Sequence, residues 1–310
     1  MDYMKQQTEY DGVACWHVAG YSGKGIAVWD MENGKTDHGQ LTRQRVLDAA
    51  PGATVINASY SNTNGRYAIL DDGSKYTVED FVERNRIKIL TRSMSGGFCK
   101  PDGKDAAFWL DLQRRYNLII LNSAGNTGDD KSVREDVAIR VGACGFYKAG
   151  RDKWELRRDS YSSTGAWLDF VDFRGSLALN QGTSFAVPYL AGKIALLCER
   201  YGNLTQDQVY TYLCDHAEDI PEVGKDVYTG WGLPILGDPE EYYFGGNNMT
   251  VTMRIGSAVM DVNGKQIIMD ETPQYNRRGD RMMVPIKYVA EAFGCKTEWD
   301  EKTKTVRFVR

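Results

Sequence analysis

Over the first 235 or so residues, short apolar runs alternate with longer segments in which apolar positions recur every three or four residues. The runs at 25–30 ("GIAVWD"), 53–60 ("ATVINASY"), 87–95 ("IKILTRSMS"), 117–125 ("NLIILNSAG") and 137–144 ("VAIRVGAC") read as strands. Residues 41–50 ("LTRQRVLDAA"), 77–85 and 104–116 read as helices, the first stopped by Pro51-Gly52. Strands that are apolar throughout belong to a sheet covered on both faces, and alternation with helices implies parallel crossovers. The expected fold is therefore α/β: a doubly wound, mainly parallel sheet with helices on both faces. Functional side chains in such a sheet gather at the carboxyl ends of the strands.

The pattern changes after "GWGLPILGDPEEYYFGGNNMT" (230–250), whose Gly, Pro and Asn content marks a linker. The expected division is a large domain over 1–236, a linker over 237–248 and a small α+β unit over 249–310. In that unit Asn263-Gly264 is a type I′ hairpin signal, "MMVPIKYVAEAFG" reads as a strand edge and short helix, and "CKTEWDEKTKTVRFVR" reads as a closing hairpin.

Composition narrows the function classes. The 310 residues carry a formal net charge of −4, and no Lys/Arg run reaches five, which argues against nucleic acid or an anionic membrane as partner. No apolar stretch approaches the roughly 18 residues of a membrane span. "MDYMKQQTEYDGV" lacks the apolar core of a secretory signal, so the chain as written is expected in the cytoplasm, reaching the exterior only through lysis or a phage. The six cysteines are scattered with no CxxC pair, which suggests buried free thiols and no zinc site.

The stretch "QGTSFAVPYLAGKIALL" (181–197) carries the first chemical signal. Glycine at 182 permits a tight turn, and the helix that follows presents unpaired N–H groups at its start. Ser184 at that join is either a plain N-cap or a nucleophile whose intermediate is held by backbone donors, and Pro188 in or near the first turn suits both. A nucleophilic serine needs a base, usually histidine, and a carboxylate to orient it. Of three histidines, His216 lies late in a helical segment as a surface residue, and His17 has no evident role. His38 stands at the entrance of a helix, eight residues after Asp30, which closes the strand "GIAVWD".

Taken together, "GKGIAVWDMENG", "DHGQ" with its downstream "APGA", "SAGNTG" and "GTSFAVP" resemble, in order, the four signature segments of the subtilases, the subtilisin-like serine peptidases. The resemblance implies a serine endopeptidase acting on protein or peptide substrates, of bacterial or phage origin. In it Asp30 orients His38, His38 serves as general base and then acid, Ser184 attacks the peptide carbonyl and Asn126 belongs to the oxyanion hole. "RSMSGG" resembles the strand along which an extended substrate lies, with Ser95, Gly96 and Gly97 as its binding edge. "IRVGAC", "SYSSTGAWLDFVDFRG" and "YTGWGLP" resemble further family segments.

The departures also carry expectations. Only seven residues separate Asp30 from His38, so the loops and calcium-binding insertion common there are expected to be reduced or absent. No cofactor is required; the acidic loops 70–73 and 128–130 are the candidates for structural calcium. Fewer than 30 residues precede Asp30, too few for a signal plus propeptide. The alternative function is a catalytically weak pseudopeptidase serving as a peptide-binding, structural or phage-associated component. Residues 249–310 resemble the copper amine oxidase N-terminal-like domain, yet contain no histidine and one cysteine, which offers no copper set. That unit is expected to bind a partner protein, a wall polymer or another copy of the chain.

Overall fold

The computed structural model describes residues 3–94, 104–129, 137–150, 153–175, 182–220, 223–241, 243, 251–262, 265–276, 281–292 and 295–309. The chain divides into two compact units, Met1–Glu241 and Tyr242–Arg310. In chain order the first unit holds α1 (Tyr3–Tyr10), α2 (Val13–Val18), β1 (Ala27–Asp30), α3 (Asp37–Ala49), β2 (Thr54–Ser61), β3 (Tyr67–Leu70) and β4 (Lys75–Thr77). It continues with α4 (Val78–Asn85), β5 (Ile87–Arg92), α5 (Lys104–Tyr116), β6 (Ile119–Ser123), β7 (Ile139–Lys148) and β8 (Trp154–Arg158). β9 (Phe170–Phe173), α6 (Thr183–Tyr201) and α7 (Gln206–Asp215) follow, and Ala217–Glu218 pairs with Leu233–Pro234.

The sheet runs β4-β3-β2-β1-β5-β6-β7-β8, with β9 also paired to β7. Its centre, β2-β1-β5-β6-β7 with β9, is parallel as the apolar runs require; β3, β4 and β8 join antiparallel at its margins. The chain moves from β1 outward to β2 and later returns to β1's other side with β5, so the strand order reverses beside the carboxyl end of β1. That reversal opens a crevice there.

Alternation along β1 distributes its side chains between two layers. Trp29 is fully buried, meets Phe81 of α4 at 4.9 Å between ring centroids and donates its indole N–H to the Ala58 carbonyl at 2.8 Å. Trp109 and Leu112 of α5 belong to the same core cluster. Asp30 takes the opposite face, where Thr42 of α3 meets it. α3 and α6 pack closely against one another: a Cβ on Gly192 would stand 2.5 Å from the Val46 carbonyl oxygen, so only glycine fits. α3 begins at Asp37, earlier than its apolar spacing predicts, because Thr36 caps it, accepting the Gly39 N–H at 3.0 Å. β5 closes at Arg92 rather than running to 95.

Three buried charges meet in the unit's core. Lys193 of α6 lies 2.9 Å from Asp172 of β9 and 3.3 Å from Asp11, which links α1 to α2; all three side chains are fully buried. The ammonium also donates to the Pro234 carbonyl at 2.8 Å. Cys144 and Cys198 are the buried free thiols expected, whereas Cys15 is exposed and Cys214 and Cys295 are partly exposed; Cys99 lies outside the described residues.

In the second unit, strands Val251–Met253, Val259–Val262 and Lys265–Ile268 form an antiparallel sheet. Val262 pairs with Lys265; Asn263 and Gly264, on which the turn expectation falls, lie outside the described residues. Helix Ile286–Ala292 and hairpins Gln274–Asn276/Arg281–Met283 and Lys296–Asp300/Thr305–Val309 complete it. Among the described residues of either unit, no helix is long and apolar enough to cross a membrane.

Candidate active site

Asp30 ends β1 opposite Asn57 of β2 and Thr91 of β5, and is fully buried. One carboxylate oxygen, Oδ2, accepts the Thr42 hydroxyl at 2.7 Å and the Asn57 amide at 3.0 Å. The other, Oδ1, is buried without a hydrogen-bond partner among the described residues. Burial, reinforced by the Glu32 charge, pushes Asp30 up to about 7 against the two hydrogen bonds and the charge of His38.

His38 is the second residue of α3, and the short connection from β1 delivers it back to the strand end. Its ring centroid stands 5.4 Å from that of Phe185, the residue after Ser184, which brings the imidazole beside the serine segment. Its Nδ1 faces Glu32 Oε2 at 3.4 Å, and no hydrogen bond joins it to Asp30 or Ser184. Glu32 holds the imidazole above the usual histidine range, partly offset by burial, with Asp30 adding in the same direction.

Ser184 is not an N-cap. Gly182 occupies that position at φ +145°, without a side-chain cap bond, and Ser184 is the second helical residue. Pro188 lies beyond the first turn, in the helix proper. It has no N–H to give the Ser184 carbonyl four residues earlier. The Ser93 hydroxyl supplies the missing donor at 2.8 Å. In return the Ser184 hydroxyl donates to the Ser93 carbonyl, also at 2.8 Å. This reciprocal pair fastens the helix start to the end of β5, and Ser93 is a residue the sequence reading did not single out.

Asn126, just past β6, is exposed and accepts both the Thr183 N–H (2.9 Å) and the Thr183 hydroxyl (3.0 Å) on Oδ1. With Oδ1 occupied, Nδ2 is the free end of the amide, 3.3 Å from where a Cβ on Gly182 would stand. Gly182 is held from the other side: its N–H donates to the Tyr161 hydroxyl at 2.9 Å, and that hydroxyl donates to Asp159 at 2.6 Å. Arg174 completes the chain on Asp159. Tyr161→Phe removes this anchor of Gly182 and is expected to cost about 1 kcal/mol of stability, the scale of one hydrogen bond. Denaturant unfolding of the variant beside the unaltered chain checks this.

Asp30, His38, Ser184 and Asn126 thus gather at one edge of the sheet, but His38 is turned to Glu32. Ser95, Gly96 and Gly97 lie outside the described residues. His17 and His216 have local roles: His17 Nε2 bonds the Ala49 carbonyl at 2.8 Å, and His216 ends α7, stacked on Tyr212 with centroids 4.1 Å apart. The acidic loop 70–73 is a hairpin turn, Asp71 accepting the Gly34 N–H (2.9 Å) and Asp72 the Ser74 N–H (2.8 Å). Among the described residues no three His, Cys, Asp or Glu side chains cluster so as to hold a metal ion, and Asp130 of the other loop lies outside them.

Residues 17–232 match the model of the Subtilase family, and residues 238–308 match the Copper amine oxidase N-terminal domain. Subtilisin DY of Bacillus licheniformis is 27% identical over 208 residues, covering 61% of this chain and 68% of the relative. Among solved structures, a lanthipeptide protease superposes with a TM-score of 0.55 at 18% identity, covering 75% of this chain and 91% of its own. Fervidolysin from Fervidobacterium pennivorans, a keratinolytic enzyme related to subtilisin, gives 0.51 at 18% identity, over 79% and 46% of the respective chains.

Proposed function

The chain belongs to the subtilase family of serine peptidases, and from that premise we propose that it cleaves peptide bonds through an acyl-enzyme on Ser184. Ser184 attacks the carbonyl carbon while His38 Nε2 removes its proton. The Nδ1–H of the same ring is accepted by Asp30 Oδ1, the buried oxygen with no other partner among the described residues. The oxyanion is met by Asn126 Nδ2 and the Ser184 backbone N–H, one of the unpaired donors at the start of α6. His38 then protonates the departing amine, and water hydrolyses the ester by the same steps in reverse. The segment after β5 is assigned the extended substrate, with Ser95, Gly96 and Gly97 as its binding residues. The C-terminal unit is assigned no part in this chemistry.

The observation that carries the reading is the clamp on Asn126: Thr183 fixes its oxygen and leaves its N–H₂ as the available donor next to the serine. Asn126→Ala is expected to lower kcat by roughly 10²–10³ with little change in KM, a scale established on subtilisin, a member of the same family. A fluorophosphonate probe is expected to label the chain once, at Ser184 by mass spectrometry, and casein is expected to be cleaved. The pairing of His38 with Glu32 favours the second reading, a weak peptidase that binds peptides without turning them over. Peptide binding with neither labelling nor cleavage would establish that reading instead.

A further inference from the structure

Two carboxylates act on one imidazole. Glu32 Oε2 lies 3.4 Å from His38 Nδ1, while Glu32 Oε1 and Asp30 Oδ1 are both buried without hydrogen-bond partners among the described residues. Asp30 Oδ2 is already committed to Thr42 and Asn57, so Oδ1 is the only oxygen with which Asp30 can take the Nδ1–H. The turn carrying Glu32 is pinned: the Met31 N–H donates to the Thr91 carbonyl (2.9 Å) and the Glu32 N–H to the Asp30 carbonyl (2.8 Å). The Glu32 side chain is only 14% exposed and lines a cavity of about 330 Å³ with Met31, Tyr60, Arg92 and Met94. Met94 lies two residues past the end of β5, which puts this cavity beside the segment assigned to the substrate.

We infer that Glu32 is a positioning residue that rivals Asp30 for the Nδ1–H of His38 and holds the imidazole in a resting place until substrate enters the cavity. The inference rests on the peptidase reading of the site. The nucleophile is at rest too, its hydroxyl spent on the Ser93 carbonyl. The charged groups facing the imidazole are Glu32, from the turn after β1, and Asp30, at the end of β1; α6 contributes the Phe185 ring. Both charges favour the imidazolium. Removing Glu32 therefore lowers the pH at which His38 loses its proton and leaves Asp30 as the sole acceptor.

The test uses the full chain with Glu32→Gln, which keeps shape and removes charge, and Glu32→Ala, which removes the acceptor. Fluorophosphonate labelling near neutral pH is expected to quicken about two- to fivefold in both, the scale of one partly exposed ion pair. The acidic limb of the rate profile is expected to move roughly half a pH unit lower. The His38 resonance in an NMR titration, identified by its loss in His38→Ala, should move with it. Slower labelling of Glu32→Ala, or a rate profile and His38 titration unchanged in Glu32→Gln, would overturn the inference. If the unaltered chain neither labels nor cleaves, the peptidase reading fails, and the NMR titration still decides whether Glu32 holds His38.

Discussion

Ser184→Ala is expected to abolish fluorophosphonate labelling and to lower kcat by roughly a millionfold, the scale of nucleophile loss in subtilisin. His38→Ala should cost about as much, and the double variant little more, because base and nucleophile act as one unit. The fold should survive. Alanine gives up the hydroxyl's bond to the Ser93 carbonyl, but the Ser93 hydroxyl still reaches the Ser184 carbonyl. The expected stability loss is about 1 kcal/mol. Kinetics and thermal melting of the three variants, side by side, separate these effects. Cleavage undiminished in Ser184→Ala would place the chemistry elsewhere.

Lys193→Met is expected to destabilise the first unit by about 3–5 kcal/mol, because it leaves the fully buried Asp11 and Asp172 without their cation. Burial first, then Asp11, raises Asp172 to about 6 even with the lysine's charge pulling it down. A carboxyl raised on folding is more easily accommodated when protonated, so its contribution is lost as pH climbs past its unfolded value toward the folded one. Without the lysine that penalty grows, and the deficit of Lys193→Met should be smaller at pH 5 than at pH 8. Asp172→Asn placed on top of Lys193→Met should recover part of it. Denaturant midpoints at the two pH values measure both. A deficit below 1 kcal/mol at pH 8 would mean that the three groups are not coupled.

Both positions show what could be read in the chain and what could not. The central strands, and Asp30 at the end of one of them, follow from apolar runs long enough to be covered on two faces. Ser184 after a glycine and before an apolar helix is equally visible, but that it is no N-cap needed the backbone: Gly182, not Ser184, holds the cap position. The hairpin β3-β4 hides in a sequence of Asn, Gly, Asp and Ser that reads as loop, since its pairing partners are set by β2. α1 and α2 have no strong apolar stripe, and what anchors the segment is Asp11, whose partner lies 182 positions away on α6. Glu32, Ser93 and Tyr161 lie inside segments quoted for their family resemblance, but nothing in those segments marks the contacts they make. Each matters through a neighbour distant in sequence or through a turn, and spacing along a chain carries no information on such neighbours.

The proline in α6 has a consequence beyond its own helix. By withholding one N–H it obliges a neighbouring strand to provide the substitute, so a gap in one element becomes the rivet that joins two. The start of α6 and the end of β5 are thereby fixed in common alignment, and drift in one would carry the other along. Positions 93 and 188 are accordingly coupled: altering either devalues its counterpart, and transplanting the helix into another scaffold without the segment after β5 would leave the Ser184 carbonyl oxygen bare.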